Sequence, residues 1–139
     1  VLHLACHGLH RARNPMFSAL KLADGWLTAR DVLGLRLSGT LVVLSACETG
    51  RHGGPGSQDE SIGLARSFLA AGASAVVVSL WLADDEVTER LMEAFYIELR
   101  PGRSPAAALR AAQLLVAKDH PHPAAWAPFV IHGAAKGEA

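Results

Sequence analysis

Cysteine is scarce in this sequence. Cys6 and Cys47 are the only two, and they do not form a C-x-x-C pair. Two cysteines are too few for a disulfide framework, and the absence of a close pair argues against a zinc or thiol-redox motif. We therefore expect a protein of a reducing, cytoplasmic compartment.

The sequence also lacks an excess of charge of either sign. Thirteen Lys and Arg balance thirteen Asp and Glu, so the formal net charge is zero. A chain without an overall positive field has little to hold a phosphate backbone through counterion release, and we expect no nucleic-acid partner. The longest apolar runs, 41–47 and 74–82, are well short of the roughly 20 residues of a bilayer span, so no membrane partner is expected either.

What the sequence does have is ample material for one core. Its 139 residues are 50% hydrophobic and 19% charged, which suits a single folded domain over residues 1–139. The sequence starts within an apolar strand-like segment and has neither an initiator Met nor a charged leader. We expect the chain to be part of a larger protein, with sheet strands that precede Val1 missing from it.

The hydrophobic pattern alternates between strands and helices. Short segments rich in Val and Leu are typical of parallel strands covered on both faces, and segments with apolar residues every three or four positions predict helices. The predicted strands are residues 1–5, 41–47, 75–81 and, more weakly, 127–132, and the predicted helices are 61–71, 86–99 and 105–118. This βαβ alternation predicts an α/β fold with a mostly parallel sheet and helices on both of its faces.

A hairpin and a helix start are predicted between the first two of these strands. Segments 17–22 and 26–27 flank Ala23-Asp24-Gly25, whose Asp-Gly step favours a tight turn. Thr28 then suits the N-cap of a short helix, with Asp31 three residues further on.

Two residues with catalytic chemistry lie at the ends of the first two predicted strands. His7 and Gly8 follow the first strand, and Cys47 ends the second. The carboxyl ends of parallel strands meet at one edge of a sheet, so an imidazole and a thiol are expected to lie close together there. A thiolate nucleophile needs such a histidine to stabilise it and to protonate the leaving amine. The backbone N–H groups of Gly8 and Cys47 are candidates for an oxyanion hole.

Plainer interpretations apply to the same residues. Taken alone, Cys47 suits a small core residue and His7-Gly8 suits a turn. Cys6 alternates with His7 and is expected to point into the core on the opposite face. A zinc site would have to use residues that lack the paired spacing of zinc ligands, namely His3, Cys6, His7, His10 and Cys47. Three of them belong to one extended strand, where alternation places their side chains on different faces. We therefore expect no metal and no cofactor.

The order of the two residues narrows the class of enzyme. His7 precedes Cys47 by 40 residues, whereas papain-like proteases and amidotransferases place Cys before His. Caspases have their His about 50 residues upstream of the Cys. A glutamine-amidotransferase-like hydrolase is excluded by this order and by the absence of a His-x-Glu sequence after Cys47.

Several strings resemble one family over nearly all of the chain. They are His7-Gly8, the segment 41–50 with its Ser-Ala-Cys-Glu-Thr-Gly string, Gly72-Ala73, the segment 78–81 and Trp126-Ala-Pro-Phe129. Together they resemble the bacterial CHAT domain, a caspase-like peptidase domain often encoded beside tetratricopeptide repeats. The resemblance implies a three-layer caspase-hemoglobinase fold with His7 as general acid/base and Cys47 as nucleophile. The resemblance also implies a family domain that is longer at its N-terminal side, so we expect the chain to correspond to its C-terminal part.

Acidic residues near the same edge are candidates for substrate binding. Asp59 and Glu60 follow the second predicted strand, and Asp84 and Asp85 follow the third. Acids there would suit a basic residue before the scissile bond, although each pair also suits the start of a helix. The glycine-rich loop 50–57 is expected to be weakly ordered and easily cut; it lacks the Lys-Ser/Thr pair of a phosphate loop.

The sequence, together with this resemblance, predicts a cysteine endopeptidase that cleaves a protein or peptide. The resemblance implies control by upstream tetratricopeptide repeats or another regulatory region. A catalytically silent module of the same fold, which binds a partner peptide as a scaffold or regulator, remains the alternative. The first strand is apolar on both faces and should have neighbours on both sides. Self-association through its unpaired edge is therefore also expected.

Overall fold

The structure is a computed structural model that describes residues 1–9, 14–45, 47–48, 57–81 and 84–133. The glycine-rich loop 50–57 lies outside the described residues except for Ser57, so its predicted mobility stays a prediction. The strands are β1 (Leu2–Leu4), β2 (His7–Leu9), β3 (Ala19–Lys21), β4 (Trp26–Thr28), β5 (Leu41–Leu44), β6 (Cys47–Glu48), β7 (Ala75–Ser79) and β8 (Phe129–Gly133). The helices are a 3-10 turn (Pro15–Phe17), α1 (Ala29–Val32), α2 (Ser57–Ala70), α3 (Asp85–Glu98), α4 (Pro105–Asp119) and α5 (Pro123–Trp126).

The main sheet has the strand order β1-β5-β7-β8. Strands β1, β5 and β7 are parallel, as the sequence predicts. The expectation that the fourth strand follows the same parallel pattern is wrong, because β8 runs antiparallel to β7. Two long helices, α3 and α4, separate these strands. One helix leads away from the end of β7 and the next leads back, so β8 starts beside Ser79, where β7 finishes.

Helices cover both faces of this sheet. Val43 and Val77 belong to a buried cluster with residues of α3 and α4, including Phe95. Their strand neighbours Val42 and Val76 belong to a second cluster with residues of α1 and α2. Successive residues of a strand point to opposite faces, which explains why β5 and β7 are apolar at nearly every position. The predicted α/β class, with a mostly parallel sheet between helices, is confirmed.

The three long helices lie where the periodicity predicts them. Helices α3 and α4 begin and end within one residue of the expected bounds, whereas α2 begins four residues earlier, at Ser57. Ser104 caps α4 because its hydroxyl accepts a hydrogen bond from the backbone N–H of Ala107, at 3.2 Å, and Pro105 occupies the first turn. Local sequence signals therefore set the start of α4.

A second, smaller sheet has the order β4-β3-β2-β6. Strands β3 and β4 form the predicted hairpin, closed by a hydrogen bond of 2.9 Å from the N–H of Leu22 to the carbonyl oxygen of Gly25. The predicted cap is also confirmed: Thr28 accepts from the N–H of Asp31 at 3.1 Å, and Asp31 accepts from the N–H of Thr28 at 2.9 Å. The hairpin thus packs beside β2, the strand that carries His7.

Strand β1 lies at an edge of the main sheet. In the part of the chain that the structure describes, β5 is the neighbour to which it pairs. Among the described residues β1 thus has its neighbour on one side only, and the sequence places the other neighbour outside this chain. A further neighbour, supplied by other residues of a longer protein or by a second molecule, stays a prediction.

Candidate active site

The two strands that carry His7 and Cys47 are each interrupted once, at equivalent places. The first changes from β1 to β2 after Leu4, and the second changes from β5 to β6 after Leu44. A hydrogen bond of 3.1 Å from the N–H of Ser45 to the carbonyl oxygen of Leu4 joins them within the interruption. Each of these two chain segments thus contributes one strand to the main sheet (β1 or β5) and the next strand to the smaller sheet (β2 or β6).

The register between these strands is constant across the interruption. Leu2 pairs with Val42 at one end and Gly8 pairs with Glu48 at the other, an offset of 40 residues in both cases. The same offset makes His7 and Cys47 register partners in β2 and β6. Neighbouring strands lie roughly 4.8 Å apart, so the backbones of these two residues are direct neighbours.

The two residues differ in what the structure describes of them. His7 is exposed, as a residue that meets a substrate must be. For Cys47 the strand and its pairing are described, but the side chain is outside the described part. Gly8 lies between Glu48 of β6 and Leu20 of β3, directly beside the register pair. His7 and Cys47 therefore occupy paired positions on adjacent, parallel strands.

Cys6 has a different environment from the register pair. It is half-buried and packs, with Leu2 and Leu4, against the cluster formed by α1 and α2. Burial raises the pKa of the Cys6 thiol above its ordinary value, because an apolar environment disfavours the thiolate. The alternation along the strand predicts this placement, and Cys6 suits a packing residue rather than a nucleophile.

The acidic candidates lie at helix starts. Asp84 is the N-cap of α3, where its carboxylate accepts hydrogen bonds from the N–H groups of Glu86, at 3.0 Å, and Val87, at 3.2 Å. Asp85 is the first residue of α3 and is exposed. Asp59 and Glu60 lie in the first turn of α2, and their side chains are outside the described part. Among these four, the structure gives a hydrogen-bonding role to Asp84.

A cluster that the sequence analysis missed lies beside this region. Nε2 of His3 is 2.9 Å from Oγ of Ser45, and Nδ1 of His3 is 2.8 Å from the hydroxyl of Tyr96 in α3. The His3 and Tyr96 rings are also in contact, with centroids 5.7 Å apart. The sequence indicated this cluster only through strand alternation. Residues two or four positions apart on a strand are expected on one face, which relates His3 to His7 and Ser45 to Cys47.

The hairpin adds an exposed aromatic residue to the small sheet. Trp26 pairs with Lys21 across the hairpin, and its side chain is about half exposed. The ammonium nitrogen of Lys21 lies 5.2 Å from the centroid of the Trp26 ring, which is the geometry of a cation–π contact. Lys21 in β3 and Trp26 in β4 thus lie on the side of β2 opposite to β6, in the same sheet as His7.

Neither a membrane span nor a metal cluster occurs among the described residues. No helix there combines the length and the apolar character needed to cross a bilayer. No group of three or more His, Cys, Asp or Glu side chains there comes together in a way that suits a metal ion.

Comparisons with known proteins identify the family. The chain is 40% identical over 109 residues to "Tetratricopeptide repeat protein 28" of Mus musculus and to the protein of the same name of Homo sapiens. This match covers 77% of the chain but 4% of the length of each relative. The family model of the CHAT domain matches residues 1–134. The chain belongs to the CHAT-domain family.

Proposed function

We propose that this chain is the catalytic part of a caspase-like cysteine endopeptidase, with Cys47 as the nucleophile and His7 as the general acid/base. The observation that carries the proposal is the register pair His7 and Cys47 on adjacent parallel strands. Membership of the CHAT family supports it, because that family is caspase-like. The caspase-like arrangement of the whole domain is part of the proposal.

The proposed reaction has two halves. His7 removes the thiol proton of Cys47, and the sulfur attacks the carbonyl carbon of the scissile peptide bond. The N–H groups of Gly8 and Cys47 donate to the oxyanion that forms. His7 then gives its proton to the leaving amine as the C–N bond breaks, which leaves a thioester. In the second half His7 takes a proton from water, the hydroxide attacks the thioester, and the returning proton restores the thiol as the acid product leaves.

The substrate is proposed to be a protein or peptide with a basic residue before the scissile bond. The acidic residues Asp59, Glu60 and Asp85 are the candidates to bind it, with Asp84 as a fourth. The carboxylate of Asp84 is already engaged at the start of α3, so its contribution would be through its charge. The names of the relatives support a further proposal, that tetratricopeptide repeats adjoin and regulate the domain.

The test uses four proteins and a set of fluorogenic peptides with Arg, Lys, Asp or Leu before the scissile bond. The wild type and Cys6→Ala should cleave at the same rate, and Cys47→Ala should cleave no faster than buffer. His7→Ala should lose at least about 100-fold in kcat/KM. Iodoacetamide should alkylate Cys47 well before Cys6. Full activity in Cys47→Ala, or preferential alkylation of Cys6, would overturn the assignment.

The alternative function is a silent scaffold or regulatory module. One observation favours it: both relatives are named for their repeats, and neither name states an activity. If the wild type binds peptides but cleaves none, and Cys47 reacts with iodoacetamide no faster than Cys6, the scaffold is the better description.

A further inference from the structure

The cluster of Tyr96, His3 and Ser45 connects three elements that are distant in the sequence. Tyr96 lies near the end of α3, His3 is the central residue of β1, and Ser45 directly follows β5. Both ring nitrogens of His3 are engaged, one with each hydroxyl. A hydroxyl both donates and accepts, so either neutral tautomer of His3 completes the two hydrogen bonds. The cluster can therefore hold one geometry without a charged group.

Ser45 connects this cluster to the segment of chain that leads to Cys47. Ser45 lies where the chain leaves β5, two residues before Cys47. Its backbone N–H donates to Leu4, and its side chain is bound to His3, so the segment of β1 binds Ser45 twice. Two residues of chain can span at most about 7 Å. Ser45 thus has the described side-chain hydrogen bond that is nearest, along the chain, to the start of β6.

We propose that His3 is a positioning residue, which binds Ser45 and Tyr96 so that the segment leading to Cys47 keeps its register with His7. This inference rests on the proposed function, because it assigns His3 a task for the same nucleophile. The described hydrogen bonds of His3 go to Ser45 and Tyr96, so we assign it a positioning role and not a catalytic one. It acts through the side chain of Ser45, while Tyr96 fixes the orientation of the imidazole ring.

The surroundings of the ring agree with this role. Partial burial lowers the pKa of His3 and raises the pKa of Tyr96, because desolvation disfavours the charged form of each group. Both groups are therefore favoured in their neutral forms, in which the two hydrogen bonds need no counter-ion. The ring contact between His3 and Tyr96 adds packing that restricts rotation of the imidazole.

The experiment removes the hydrogen bonds one at a time. Tyr96→Phe and Ser45→Ala each delete one hydroxyl, and His3→Ala deletes both contacts. Each single-hydroxyl variant should lower kcat by about 3- to 10-fold, since a hydrogen bond of this kind is worth that factor. KM should change by less than about twofold, because substrate contacts are not removed. The double variant Tyr96→Phe/Ser45→Ala should lose no more than His3→Ala does, since both act through one ring.

A matched control separates positioning from stability. The hydroxyl of Ser74 donates to the carbonyl oxygen of Gly39 at 3.2 Å, at the opposite end of β7 from the site. Ser74→Ala should lower the melting temperature about as much as Ser45→Ala but leave kcat unchanged. His3→Gln and His3→Asn, which each retain one of the two polar positions, should recover part of the activity that His3→Ala loses.

A second readout does not depend on peptide cleavage. The rate at which iodoacetamide alkylates Cys47 should fall in Ser45→Ala and Tyr96→Phe in proportion to kcat, and stay unchanged in Ser74→Ala. If Ser45→Ala and Tyr96→Phe are destabilised but keep both kcat and the alkylation rate, the positioning role is wrong while the proposed function stands. If Cys47→Ala retains full activity, the proposed function is wrong, and the alkylation rates alone then decide whether the cluster orders this segment.

Discussion

Replacement of Gly133, at the end of β8, is expected to be unusually costly for a residue at a strand end. Its φ of 101° is in the region that L-residues rarely adopt. A Cβ atom there would lie 2.7 Å from the carbonyl oxygen of Ser74 and 3.1 Å from Cα of Ala75. Both atoms belong to backbone at the start of β7, an interior strand of the sheet, and they have little freedom to move.

Two effects add in Gly133→Ala. The left-handed conformation costs an alanine about 1–2 kcal/mol. The overlap with β7 costs about 1–3 kcal/mol more, by analogy with overpacked cores. The free energy of unfolding should therefore fall by about 2–5 kcal/mol, a large share of the roughly 5–15 kcal/mol that stabilises a typical domain.

Other glycines of the chain provide the controls for this measurement. Gly102 has a φ of 81°, but no atom lies within 4 Å of the place that a Cβ would occupy, so Gly102→Ala should cost only the conformational part, about 1–2 kcal/mol. Gly63 lies within α2 with equally open surroundings, and Gly63→Ala should stabilise by about 0.5–1 kcal/mol. Urea unfolding followed by circular dichroism measures all three. A Gly133→Ala variant no less stable than Gly102→Ala would refute the clash with β7.

Three further predictions concern residues near the candidate site. Thr28→Ala should lose about 1 kcal/mol of unfolding free energy through the broken capping box, and Thr28→Ser should restore most of it; chemical denaturation checks both. Asp84→Asn should keep the stability of wild type, since Asn caps as well as Asp, but should slow cleavage of peptides with a basic residue if the charge of Asp84 binds substrate. The lowered pKa of His3 means that the folded state takes up a proton less readily than the unfolded chain. Stability from His3 is therefore complete above its ordinary pKa of about 6.5 and declines as pH falls below it. Denaturation at pH 8 and pH 5 should show a smaller loss in His3→Gln than in wild type; an equal loss would contradict the assignment.

The features that the sequence predicted well depend on neighbours within a few residues. The turn at Asp24-Gly25 and the Thr28–Asp31 capping box are local, and both are present in the structure. The start of α4 at Ser104 and Pro105 is local as well. Such signals act through backbone geometry and nearby hydrogen bonds, so a single sequence contains nearly all the information that determines them.

Features that depend on distant segments were harder to predict. The direction of β8 follows from the paired helices α3 and α4, and the apolar pattern of a short strand carries no record of its direction. The contact between His3 and Tyr96 joins residues 93 positions apart. His7 and Cys47 could be selected from their chemistry and strand ends, but the register that makes them partners is a property of the paired strands.

The constant offset of 40 residues between the paired strands has a consequence for how this protein can change in length. Added residues in the connection between α1 and β5 need not disturb the pairing, because matched apolar strands fix the register and the connecting chain does not. A single residue added or removed at the interruption between β5 and β6 has another effect. It would shift every later position by one, and a shift of one exchanges the two faces of a strand. His7 would then no longer have Cys47 as its register partner. Insertions should therefore be tolerated between α1 and β5, whereas insertions between β5 and β6 should be selected against, even though both places are within a few residues of β5.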